Sequence, residues 1–101
     1  MNSIEEIPSR FKIANTEITV KIVDHTDNNN YGNWEDVMST ITVARRIKID
    51  DEYIELTDEQ MLNTFYHELF HAFNWFWNNK CDEALAQSFA NFMREYEATK
   101  K

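Results

Sequence analysis

The stretch that most constrains the fold of this chain begins at Thr57-Asp58-Glu59-Gln60 and runs unbroken by Gly or Pro to Asn78-Asn79. A Thr followed three residues later by Gln is a capping box. The Thr57 hydroxyl can accept from the Gln60 N–H while the Gln60 side chain returns to the Thr57 N–H. At about 100° per residue, Leu62, Phe65, Leu69, Phe73 and Phe76 fall on one arc, and Gln60, Thr64, His67, His71 and Asn74 fall opposite. The pattern predicts a long helix whose apolar side the rest of the chain must cover. Its other side stays open, with His67 and His71 facing away from the core.

That open side carries chemistry in His67-Glu68-Leu69-Phe70-His71. Histidines at i and i+4 lie about 40° apart around the axis, so both imidazoles reach one cation. Glu68 stands beside them, placed to take a proton from a zinc-activated water rather than to bind the metal itself. Zinc lowers the pKa of bound water to about 7, and the same carboxylate can return the proton to a leaving amine. The expected assignment is Zn2+ as cofactor, His67 and His71 as metal ligands, and Glu68 as catalytic base.

A second helix is predicted from Glu83 to about Glu97, capped by Asp82. Leu85, Phe89, Phe92 and Tyr96 form its apolar stripe, and Glu83, Ala86 and Ala90 form another. If Ala86 and Ala90 let the two helices approach closely, Glu83 in the opening turn reaches the metal as third ligand. Asp82 is a rival whose side chain is already engaged as a cap. Cys81 is a second rival, whose thiolate would give a less acidic water and belongs to structural sites.

Upstream, alternation of Phe11, Ile13, Ile18, Val20 and Ile22, interrupted at Ala14-Asn15-Thr16, predicts a hairpin. The Asn-, Asp- and Gly-rich run from His25 to Trp34 reads as turns. Ser39 to Ile49 reads as a third strand, with a bulge or a break at Ala44-Arg45-Arg46, of which the bulge is favoured. Asp50 to Glu55 is expected to turn the chain. The expected fold class is α+β: a small three-stranded antiparallel sheet on two helices, forming a single domain over 1–101.

Composition narrows the partners. A net charge of −8 repels phosphate backbones and anionic lipid, so neither nucleic acid nor membrane is an expected partner; a peptide or protein substrate is. One cysteine excludes an internal disulfide, and the start lacks the basic and apolar regions of a signal peptide, so a cytoplasmic monomer is expected. His25, Tyr31 and Tyr53 lie in expected loops where they could stabilise an oxyanion, though no spacing singles one out. Trp34, Trp75 and Trp77 could wall a pocket, but core and rim packing is the simpler reading and the one preferred, and Arg45, Arg46 and Lys48 make a short basic patch.

With these residues in place, His67-Glu68-Leu69-Phe70-His71-Ala72 followed by Glu83 and an Ala/Phe-rich helix resembles the gluzincin branch of zincin metallopeptidases. It is similar in particular to minigluzincins and to minimal zincin-like domains of phages and mobile elements, including the ImmA/IrrE type. The resemblance is best from Ile41 to Met93. It implies an antiparallel three-stranded sheet, a motif-bearing helix and a second helix supplying the glutamate, with His67, His71 and Glu83 as ligands and Glu68 as base. Peptide-bond hydrolysis follows, with an extended substrate on the edge of the third strand. The alternative is a catalytically silent zinc-binding or peptide-binding regulatory module with a closed, four-ligand site.

Overall fold

The computed structural model describes residues 6–13, 15–77 and 82–101, with side chains at positions 77, 82–88 and 90 excepted. The elements are β1 (Arg10–Ile13), β2 (Thr16–Val23), β3 (Gly32–Glu35), β4 (Thr40–Ala44), β5 (Arg46–Ile49), β6 (Glu52–Glu55), α1 (Asp58–Trp77) and α2 (Asp82–Thr99). The fold class is α+β. The sheet is not the expected three antiparallel strands. It has four strands in the order β1-β2-β4-β3, with β2 and β4 parallel, and β5 and β6 form a separate antiparallel hairpin.

The β1–β2 hairpin forms where alternation placed it, with Arg10 opposite Thr19 and Asn15 in the left-handed region at φ 64°. Three expectations fail further on. The His25 to Trp34 run is not all turn, because Gly32–Glu35 pairs antiparallel with β4. Ser39 to Ile49 is not one bulged strand, because the chain leaves the main sheet at Arg45. The Arg45 N–H donates to Val23 O at 2.8 Å, and Arg45 O accepts from Leu56 N–H at 2.8 Å. One residue thus bonds to the end of β2 and to the segment after β6, and the strand is divided there. The Asp50 to Glu55 run turns only at Asp50 and Asp51, at φ 50° and 65°, and Glu52–Glu55 is the return strand.

Both helices cover one face of the sheet, α1 over β3 and β4 and α2 over β1. That face holds Phe11, Ile13, Ile18, Val20, Ile41 and Val43, all buried, which is why the strands alternate. The α1 stripe meets them as projected, with Phe65, Leu69 and Phe73 buried and Leu62 and Phe76 packed at the margin. In α2, Phe92 and Tyr96 are buried; Phe89 is half-exposed but meets Phe73 edge-on at 5.1 Å, and Leu85 lies outside the described side chains. Tyr96 bridges β1 and α1, 4.9 Å from Phe11 and 6.1 Å from Phe65 between ring centroids. No helix among the described residues is long and apolar enough to cross a membrane.

The capping box forms in both directions: Gln60 N–H donates to Thr57 Oγ1 at 3.1 Å, and Thr57 N–H to Gln60 Oε1 at 2.7 Å. Thr57→Ala removes the first bond and should cost about 1 kcal/mol of stability. Urea denaturation checks this, and an unchanged midpoint would show that the cap adds nothing net.

Candidate metal centre and the cleft beside it

His67 and His71 project from the exposed side of α1 and converge. Their Nε2 atoms are 3.1 Å apart and their rings 4.7 Å apart at 81°, so whichever ring carries its proton on Nε2 donates to the other. A solvent-facing i,i+4 pair has rotamers that would part the rings, but these turn both nitrogens to one point. Two nitrogens each about 2.05 Å from a shared zinc and 3.1 Å apart subtend about 98°, close to the tetrahedral angle. The pair therefore fits two corners of a zinc site. Among the described side chains no third His, Cys, Asp or Glu completes a metal cluster with it. Glu83, the expected third ligand, and its rivals Asp82 and Cys81 all lie outside the described side chains.

Glu68, by contrast, is buried at 7% exposure, deeper than a neighbour of two exposed histidines would be on a bare helix. What covers it is β3. An added Cβ on Gly32 would lie 2.5 Å from Thr64 Cγ2, 2.7 Å from Thr42 O and 3.3 Å from Glu68 Cγ. The single glycine of the chain therefore lets an edge strand lie directly on α1 at the motif. Burial pushes the Glu68 carboxyl above the usual carboxylate range, and the charges of His71 and then His67 pull it back only in part. A carboxylate held toward neutrality accepts and returns protons more evenly than an exposed one.

Two hollows open on either side of Gly32 and Glu68. One of about 420 Å³ lies between Asn30 and Tyr31 on one wall and Asn63, Thr64 and His67 on the other. A larger cleft of about 820 Å³ lies between Asn33, Trp34 and Asp36 and the helix residues His71, Asn74 and Trp75. Of the three oxyanion candidates only Tyr31 borders these hollows; His25 and Tyr53 stack on each other with centroids 5.2 Å apart. Trp34 does pack against the core, but Trp75 is 57% exposed and lines the cleft, so the pocket-wall alternative and not core packing holds for it; the Trp77 side chain is not described. The basic patch is occupied internally. Arg46 Nε meets Asp24 Oδ1 at 2.9 Å, and Arg46 and Lys48 stand over the Tyr53 ring at 6.0 and 5.8 Å.

The outer strands of the sheet are β1 and β3, and the edge beside α1 is that of β3, since β4 is flanked by β2 and β3. Ala44 N–H donates to Tyr31 O at 2.9 Å, which in this register turns the main chain of Asn33 and Glu35 toward β4. Gly32 and Trp34 are left with N–H and C=O directed to the open side. Sequence reasoning missed this strand because its four residues GNWE carry no run of β-branched side chains. The one signal available was Gly32 itself, the only glycine in a chain whose turns are built from Asn, Asp and Ser. The chain matches no protein-family model, no curated protein and no solved structure.

Proposed function

We propose that this protein is a zinc-dependent peptidase. The observation that carries the reading is the convergence of His67 and His71 Nε2 at 3.1 Å beside a buried Glu68 and beneath an unpaired sheet edge. His67 and His71 would hold the metal, with Glu83 as third ligand. Bound zinc would supply a Lewis acid for the scissile carbonyl and bring the pKa of water to about 7. Glu68 takes the proton of the attacking water as oxygen bonds to the carbonyl carbon, and passes it to the amine nitrogen as the C–N bond breaks. The substrate strand pairs with the open groups of Gly32 and Trp34 on β3, not with the third strand as first expected, whose edges are filled. Antiparallel pairing sets the substrate's amino-terminal side at the Trp34 end and its carboxy-terminal side at the Tyr31 end.

The silent zinc module differs in one respect, a fourth protein ligand in place of solvent. Zinc-edge absorption of protein purified without chelator or affinity tag separates the two, with three protein ligands expected. Substoichiometric zinc after equilibration would remove the basis of both.

Metal removal gives a further expected result. At a thousandfold excess over Kd, zinc adds about 4 kcal/mol to the folded state, so chelator should lower Tm by more than about 10 °C. The apo protein should nevertheless stay folded, because Phe11, Phe65, Phe73 and Phe92 are buried independently of the metal, each worth about 2 kcal/mol. Glu83→Ala should reproduce part of the zinc loss, and Asp82→Ala only a cap's worth of about 1 kcal/mol. Loss of zinc binding in Asp82→Ala but not in Glu83→Ala would overturn the ligand assignment.

A further inference from the structure

The larger cleft has a composition that its neighbour lacks. Two indoles, Trp34 and Trp75, stand on its opposite walls, one from the edge strand and one from the helix, and Asp36 sits at the end where β3 stops. Among the described residues no Lys or Arg lines it. Asp36 uses Oδ1 to accept from Val37 N–H at 2.8 Å, and among the described residues it pairs with no cation. Trp75, at 57%, is the most exposed aromatic side chain among the described residues, which leaves its face available to a ligand. Aromatic faces and a carboxylate around one space are the elements that hold a guanidinium or an ammonium on an apolar stem.

We propose that this cleft takes an arginine or lysine side chain on the amino-terminal side of the scissile bond, making the substrates basic peptides. The side rests on the peptidase reading and its antiparallel pairing; the cation preference rests on the cleft alone. A carboxylate beyond the end of β3 is reached by a long basic side chain whose stem lies between the indoles. An acidic residue there would meet Asp36 and the field of a chain of net charge −8.

The test compares acetyl-Ala-Ala-Arg-Ala-Ala-amide with the same peptide carrying citrulline, which keeps the shape and removes the charge. Binding to zinc-loaded Glu68→Gln protein is followed by the indole N–H resonances and by titration calorimetry, and cleavage is followed with the wild type. The arginine peptide should bind about fivefold tighter than citrulline at low salt and shift the indole resonances of Trp34 and Trp75. Asp36→Asn keeps an oxygen for the Val37 N–H and so preserves the turn; in it the preference should fall to within about twofold. Trp75→Leu, at an exposed position, should weaken both peptides and the arginine peptide more. Equal binding of arginine and citrulline, or cleavage with no basic residue before the bond, overturns the proposal and leaves the peptidase reading standing. Asp36-dependent binding of arginine with no cleavage by zinc-loaded wild type upholds the cationic cleft and overturns the peptidase reading.

Discussion

If the protein is the zinc peptidase proposed above, Glu68→Gln is expected to retain zinc and to lose peptidase activity by about 10²- to 10⁴-fold, the usual contribution of a positioned general base. The amide has nearly the shape of the carboxylate, so β3 should keep its seat on α1 and Tm should move little. What is lost is the acceptor for the proton of water and the donor to the leaving amine, a role no neighbouring group can assume. His67 and His71 would be occupied, and Asp36 lies just past the end of β3, four residues on from the Gly32 that packs against Glu68. The loss should appear in kcat, because Glu68 is not needed to hold the peptide against Gly32 and Trp34. Activity on a broad peptide library equal to that of wild type, with zinc still bound, would sink the mechanism.

Gly32→Ala is expected to cost about 2 kcal/mol, lowering Tm by about 10 °C. The new methyl would stand 2.5 Å from Thr64 Cγ2 and 2.7 Å from Thr42 O. Thr64 belongs to α1, where its hydroxyl is held by donating to Gln60 O at 3.1 Å, and Thr42 O is main chain of the interior strand β4. Neither yields without moving an element, so β3 must lift from the helix. A second substitution, Thr64→Ala, removes the first contact and leaves the second, so the double variant should recover only part of the loss. Because β3 covers Glu68, the single variant should also lose activity beyond what unfolding explains. A melting curve superimposable on wild type would show that β3 does not lie on α1 as described.

How much of this was legible beforehand follows from the range of the interactions concerned. The start of α1 and its buried arc are set within a few residues by Thr57, Gln60 and a spacing of three and four, and they appear where the sequence puts them. The same holds for His67 and His71, whose convergence needs only one helical turn. Strand β3 has no such local cause. Asn33 and Trp34 are extended because β4 lies opposite, and β4 reaches them only after the turn at Asp36 to Ser39, closed by Ser39 N–H donating to Asp36 O at 3.2 Å. The division at Arg45 is equally remote in origin, set by carbonyl and amide partners on Val23 and Leu56. The depth of Glu68, the free edge and the aromatic cleft all depend on β3, so none of them could be read from the motif that announced the site.

The left-handed positions of the described chain are Asn15, Asn29, Ser39, Asp50 and Asp51, and Gly32 is not among them. Each holds a side chain where glycine would sit more easily, at a conformational cost of up to about 1 kcal/mol. The one residue best suited to such corners is instead fixed at the contact between strand and helix. Stability can therefore be adjusted at the corners without touching the contact between β3 and α1. An engineer seeking a hardier protein can work there and leave the cover of Glu68 alone, whereas a change at residue 32 moves both the stability and that cover at once.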